Sequence, residues 1–138
     1  MHNVTFPGRY ESLEKIGEFI KESAQNAGFD GFSTYTIETS VDEACSNIIE
    51  HAYGNNLSGN IEISVIIEEK QMIIIIKDNG LSFDPEAISQ PNLSSVLDER
   101  EDHGLGIYMM KQWMDVVQYE SHPNYNTLTL IKNKAALK

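Results

Sequence analysis

Basic residues are scarce in this chain: 10 Lys and Arg stand against 21 Asp and Glu, a formal charge of −11 over 138 residues. A nucleic-acid binder needs a basic footprint that releases counterions from phosphate, so the balance argues against direct nucleic-acid binding. Solubility is the plain role of such charge, and attraction of a basic protein partner the more specific one. Cysteine is nearly absent. Cys45 alone rules out an internal disulfide and suits a reducing compartment. Long apolar runs are missing too, the longest being Met72 to Ile76, far below the ~20 residues that span a bilayer. Met1-His2-Asn3-Val4 leads straight into polar, charged sequence, unlike a secretory leader. A cytoplasmic protein with no membrane partner is expected. No repeat, low-complexity tract or linker divides residues 1–138, which read as a single domain long enough for a core.

What is present is periodicity. Val4 to Phe6 reads as a short edge strand before Pro7-Gly8. Leu13, Ile16, Phe19, Ile20 and Ala24 recur at helical spacing and predict an amphipathic helix from Glu11 to Asn26, ending near Gly28. A second stripe, from Ile37 and Val41 through Ala44, Cys45, Ile48 and Ile49 to Ala52, predicts a helix closed by Gly54-Asn55-Asn56. Ile61 to Ile67 and Met72 to Ile76, rich in β-branched residues, predict a hairpin. Asp84-Pro85-Glu86 has the form of a capped helix start, and Ser89 to Asp102 that of a mobile loop. Gly104 to Met114 reads as a third helix, with Val116 to Glu120 and Thr127 to Ile131 as a last strand pair. The expected fold class is α+β: a two-layer α/β sandwich with helices on one face of a mixed, mostly antiparallel sheet.

Three segments carry chemistry. Glu43, Asn47 and His51 fall at i, i+4 and i+8, on a helix face turned away from the apolar stripe. A carboxylate and an amide one turn apart can act on a hydrated cation: Asn47 offers Mg²⁺ a neutral oxygen, and Glu43 orients a water or takes a hydroxyl proton. In isolation the same spacing is far more often a solvated helix flank, and His51 a hydrogen-bonded structural residue. Asp78 ends the strand that starts at Met72, with Gly80 two residues on. A carboxylate there can accept from the exocyclic amine of adenine, and glycine lets backbone approach the base, although Asp-Asn-Gly is also strong turn chemistry.

Gly104-Leu105-Gly106-Ile107 sits where a loop passes into a helix, and exposed N–H groups favour phosphate there. It lacks the lysine of a P-loop and follows no strand, as a dinucleotide fingerprint would. Singly each segment is weak. In this order they supply the parts of an ATP site, and three such accidents are far rarer than one site. An acidic chain must neutralise a triphosphate with a divalent cation and backbone N–H groups rather than with lysines.

On these residues the chain resembles the GHKL ATP-binding superfamily, and within it the small anti-sigma-factor serine/threonine kinases. The stretch Glu43-Ala44-Cys45-Ser46-Asn47 through His51-Ala52-Tyr53 is similar to the family's N box. Asp78-Asn79-Gly80 with Phe83-Asp84-Pro85 is similar to its first glycine box, and His103-Gly104-Leu105-Gly106-Ile107 with Met114-Asp115 to its second. The resemblance implies the Bergerat ATP-binding fold, with ATP and Mg²⁺ as cofactors. It implies Glu43 as general base for an attacking hydroxyl and Asn47 as the Mg²⁺ ligand. Asp78, Gly80 and Phe83 would serve the adenine side. Gly104, Leu105 and Gly106 would frame the phosphates under a lid from Ser89 to His103, with Thr127 as a phosphate-side threonine.

The implied partners are a STAS-type anti-anti-sigma protein phosphorylated on serine, a sigma factor held silent, and a second copy in a homodimer. At His103 the chain departs from the glycine that the family often has. Arg100, the lid's one arginine, stands by analogy within reach of the γ-phosphate or a partner. Two other readings share these motifs. One is an ATP-binding partner-switch module with little or no kinase activity, against which Glu43 argues. The other is a stand-alone histidine-kinase-like ATPase domain, for whose phosphoacceptor helices the residues before Glu43 leave little room.

Overall fold

Two strands made largely of β-branched residues form the middle of the fold. β2 (Asn60–Ile67) and β3 (Gln71–Asp78) pair antiparallel, with Ile63 opposite Ile76 and Val65 opposite Ile74. In a computed structural model describing residues 1–54, 59–82 and 102–134, they belong to a five-stranded sheet ordered β1-β2-β3-β5-β4. β1 (His2–Pro7) pairs with β2 on one edge. On the other side β5 (Asn126–Asn133) pairs with β3, and β4 (Val116–Ser121) closes the far edge. All pairings among the described residues are antiparallel, so the α+β sandwich has the expected form without a parallel pair there.

Helices cover one face. α1 (Leu13–Asn26) follows a single 3-10 turn and buries Ile16, Ile20 and Ala24. It ends just before Gly28, whose φ of 96° lies in the left-handed region open to a residue without Cβ. α2 (Gly31–Asn47) begins well before its apolar stripe, because the Asp30 side chain accepts a hydrogen bond from Ser33 N at 2.7 Å. Its buried Thr36 and Ser40 hydroxyls donate to the carbonyls of Ser33 and Thr36, each at 2.7 Å, which lets polar residues pack in the core layer. α3 (Asp102–Trp113) lies against α2.

Alternation does the rest. Ile61, Ile63, Val65, Met72, Ile74 and Ile76 turn toward the helices and are buried, while their strand neighbours face the other way, more exposed. Each such side chain contributes roughly 1.5–3 kcal/mol when fully buried. No helix among the described residues is long and apolar enough to cross a membrane. The expected helix start at Asp84-Pro85-Glu86, Asn55-Asn56, and the expected lid up to residue 101 lie outside the described residues.

Candidate functional site

The last turns of α2 hold the first part of the site. Glu43 and Asn47 keep their one-turn spacing, and Asn47 Nδ2 donates to Glu43 Oε2 at 2.9 Å. Asn47 is not on a solvated flank, since only 2% of it is exposed. Its Oδ1 is buried without a hydrogen-bond partner among the described residues. A buried amide oxygen left unpaired costs free energy, and it is the neutral hard donor that Mg²⁺ accepts. The residues therefore fit a divalent cation. Beyond Asn47 the chain widens into one π turn, Ile48–Ala52, closed by Tyr53 N donating to Ile48 O at 3.0 Å. His51 lies in that wider turn, where the spacing of 3.6 residues that aligns Glu43 with Asn47 no longer holds.

The π turn delivers the chain onto the second part. Leu81 N donates to Ala52 O at 2.8 Å, which joins the end of the π turn to the turn after β3. Gly80 is pressed against the same residue: a Cβ there would meet Ala52 O at 2.6 Å and Ala52 C at 2.7 Å. Close approach of backbone, not a positive φ, requires glycine here. Asp78 is 2% exposed, and its Oδ1 accepts from Gly80 N at 2.9 Å and from Asn126 Nδ2 at 3.0 Å. Among the described residues Asp78 Oδ2 has no hydrogen-bond partner, while Oδ1 has two. Burial raises the Asp78 pKa above the ordinary carboxylate value, against the opposing pull of Asn126 and Gly80.

Tyr53 ties the turn to the start of β2. Its hydroxyl accepts from Asn79 N at 3.0 Å and donates to Asn60 O. The ring lies where a Cβ on Gly59 would sit 2.1 Å from Tyr53 Cε1, and one on Gly8 2.7 Å from Cε2. Gly8 N also donates to Gly59 O at 2.8 Å. These glycines make room for one aromatic ring beside the Asp78 turn.

Of the residues expected at the phosphates, Gly104, Leu105 and Gly106 are the third to fifth residues of α3 rather than its lead-in. Helix geometry still leaves the first four N–H groups, up to that of Leu105, without intrahelical acceptors. Thr127 falls beside the site but on the other face of β5: it pairs with Lys77 and Glu120, while Asn126, Leu128 and Leu130 turn inward. Strand alternation thus brings Asn126, not Thr127, to Asp78. Phe83 and Arg100 lie outside the described residues. Sequence reasoning passes over Asn126 and treats Tyr53 only as the end of the N box. The adjacency of Asn126 to Thr127 was the one available signal.

Helices on one face of an antiparallel sheet, a carboxylate–amide pair on α2 and a buried aspartate beside a glycine are the described parts of the candidate site. The chain belongs to the Histidine kinase-like ATPase domain family, whose sequence model matches residues 6–132. Its relatives include the serine-protein kinase RsbW of Bacillus subtilis (strain 168), 30% identical over 120 residues that cover 84% of this chain and 75% of that one. The anti-sigma F factor of Clostridium kluyveri is 32% identical over 137 residues, covering 89% of this chain and 94% of the relative. Among solved structures, the RsbU and RsbW domains of a Mycobacterium tuberculosis protein share the fold with a TM-score of 0.67 at 15% identity. That match covers 95% of this chain but 31% of the longer one.

Proposed function

We propose that this chain is an ATP-dependent serine kinase and anti-sigma factor, which phosphorylates a STAS-type anti-anti-sigma partner and sequesters a sigma factor. The observation that carries the reading is the Glu43–Asn47 pair, with one amide arm on the carboxylate and the other ending in a buried oxygen without a described partner. Relatives named as a serine-protein kinase and an anti-sigma F factor support the same class. Cytoplasmic location, a homodimer and a single domain over residues 1–138 complete the proposal.

ATP with Mg²⁺ supplies a phosphoryl group whose transfer depends on positioning and charge neutralisation rather than on covalent chemistry by the protein. Asn47 Oδ1 would hold the cation. Asp78 would accept from the base amine with Gly80 beside it, and Phe83 is assigned to the adenine side by resemblance alone. The free N–H groups of the first turn of α3, up to that of Leu105, would serve the phosphates, with Gly104, Leu105 and Gly106 framing them. Thr127 is assigned to the margin of the site, behind Asn126. Glu43 takes the proton of the attacking serine hydroxyl, and the hydrogen bond from Asn47 Nδ2 sets the direction in which its carboxylate points.

The test is incubation with Mg²⁺ and γ-labelled ATP, with STAS-domain proteins of the same genome as acceptors. Label on an acceptor serine, lost in Glu43→Ala while ATP binding is kept, is the expected result. ATP binding without transfer to any acceptor would overturn the kinase reading in favour of a nucleotide-gated binding module.

A further inference from the structure

Asn126 is 1% exposed and stands in the sheet between two partners: Asp78 is opposite it on β3, and Ser121 opposite it on β4. Its Nδ2 donates both to Asp78 Oδ1 at 3.0 Å and to the carbonyl of Gly80 at 3.1 Å. Its Oδ1 accepts from Ser82 Oγ at 3.0 Å, and Ser82 Oγ in turn lies within hydrogen-bond distance of Ser121 Oγ. The orientation of this amide is forced. Turned over, its oxygen would face two acceptors and its NH₂ group would displace the bond from Ser82.

We infer that Asn126 is a positioning residue that sets nucleobase selectivity: it pins one oxygen of Asp78 to the protein so that the other faces the base. The inference rests on the reading of Asp78 as the adenine contact and adds a residue to it. A carboxylate held by a single bond, that from Gly80 N, is free to turn about its χ2 torsion, and a turned carboxylate no longer presents Oδ2 in one direction. The Asn126 amide removes that freedom and joins both ends of the Asp78–Gly80 turn through one group. Its hydrogen bond also offsets part of the desolvation of Asp78, which favours the ionised acceptor form that an exocyclic amine requires. Ser82 and Ser121 extend the chain of hydrogen bonds to the edge of the sheet, where both are exposed.

The test compares ATP with inosine triphosphate, which carries a carbonyl where adenine carries its amine. Dissociation constants for both are measured by calorimetry on wild type, Asp78→Asn, Asn126→Leu and Ser82→Ala. Leucine keeps the branched shape of asparagine, in a larger volume, and none of its hydrogen bonds. In Asn126→Leu the preference for ATP over inosine triphosphate is expected to fall by about tenfold, the equivalent of a lost hydrogen bond to a charged group, with inosine triphosphate affinity near that of wild type. Equal loss of affinity for both nucleotides would mark a structural role only and overturn the inference. Ser82→Ala removes one exposed hydroxyl and tests the same chain if Asn126→Leu does not fold. It is expected to lower the preference by about twofold to tenfold, and an unchanged ratio there overturns the inference as well. Asp78→Asn separates the two levels. If wild type shows no preference, or Asp78→Asn keeps it, the adenine contact itself is wrong and the role of Asn126 falls with it.

Discussion

Asn47 donates from Nδ2 to Glu43 Oε2 at 2.9 Å, one turn apart on α2, while its own Oδ1 is buried with no described partner. One amide thus links the group read as a proton acceptor to the position read as a cation ligand. Asn47→Ala should leave nucleotide binding nearly indifferent to Mg²⁺, measured by calorimetry with the cation present and with EDTA. Mg²⁺ dependence equal to that of wild type would remove Asn47 from that position.

Gly80 is enclosed by backbone. A methyl group there would come within 2.8 Å of Ala52 O, C and Cβ, and the backbone atoms among these cannot turn aside. Gly80→Ala should destabilise the protein by about 1–3 kcal/mol, as overpacking does, and lower its midpoint in urea. A wild-type midpoint would show that the turn after β3 yields more easily than its contacts suggest.

The Tyr53 hydroxyl bridges Asn79 N and Asn60 O, and Tyr53→Phe removes it without emptying the space over Gly8 and Gly59. A loss of about 0.5–1.5 kcal/mol for each bond is expected in urea unfolding, with weaker ATP binding because the Asp78 turn is less well held. Unchanged stability and unchanged affinity together would contradict that bridging role.

Asp78 makes the apo protein less stable at neutral pH. Its pKa is raised by burial above 3.8, so the folded chain binds more protons there than the unfolded chain does. The stability this gives is complete below 3.8 and is lost as pH rises through the raised value. In the absence of nucleotide, Asp78→Asn should therefore melt above wild type at pH 7, by a margin that shrinks toward pH 3. An equal margin at both pH values would contradict the sign of that shift.

Much of the frame is legible in the chain because its signals are local. Ile61 to Ile67 and Met72 to Ile76 announce strands by β-branching, and Leu13 to Ala24 announce α1 by spacing. The start of α2 is harder to read, since Ser33, Thr34 and Thr36 are weak helix formers and only the Asp30 cap marks it. The Glu43–Asn47 pair shows in the sequence as a spacing. Its burial does not, because burial is set by tertiary packing and not by spacing along one helix. Asn126 is silent for the same reason: an asparagine before a strand reads as turn chemistry, and only the register of β5 against β3 sets it on Asp78. Likewise nothing local tells that Gly8 and Gly59 make room for the Tyr53 ring.

Whether Asp78 reads the base is measured most directly by titrating ATP with Mg²⁺ into wild type and Asp78→Asn in a calorimeter at neutral pH. Wild type should bind, and Asp78→Asn should bind more weakly by on the order of 1–3 kcal/mol, the cost of a lost hydrogen bond to a charged group. Equal affinity in the two proteins would contradict the assignment of this pocket to adenine.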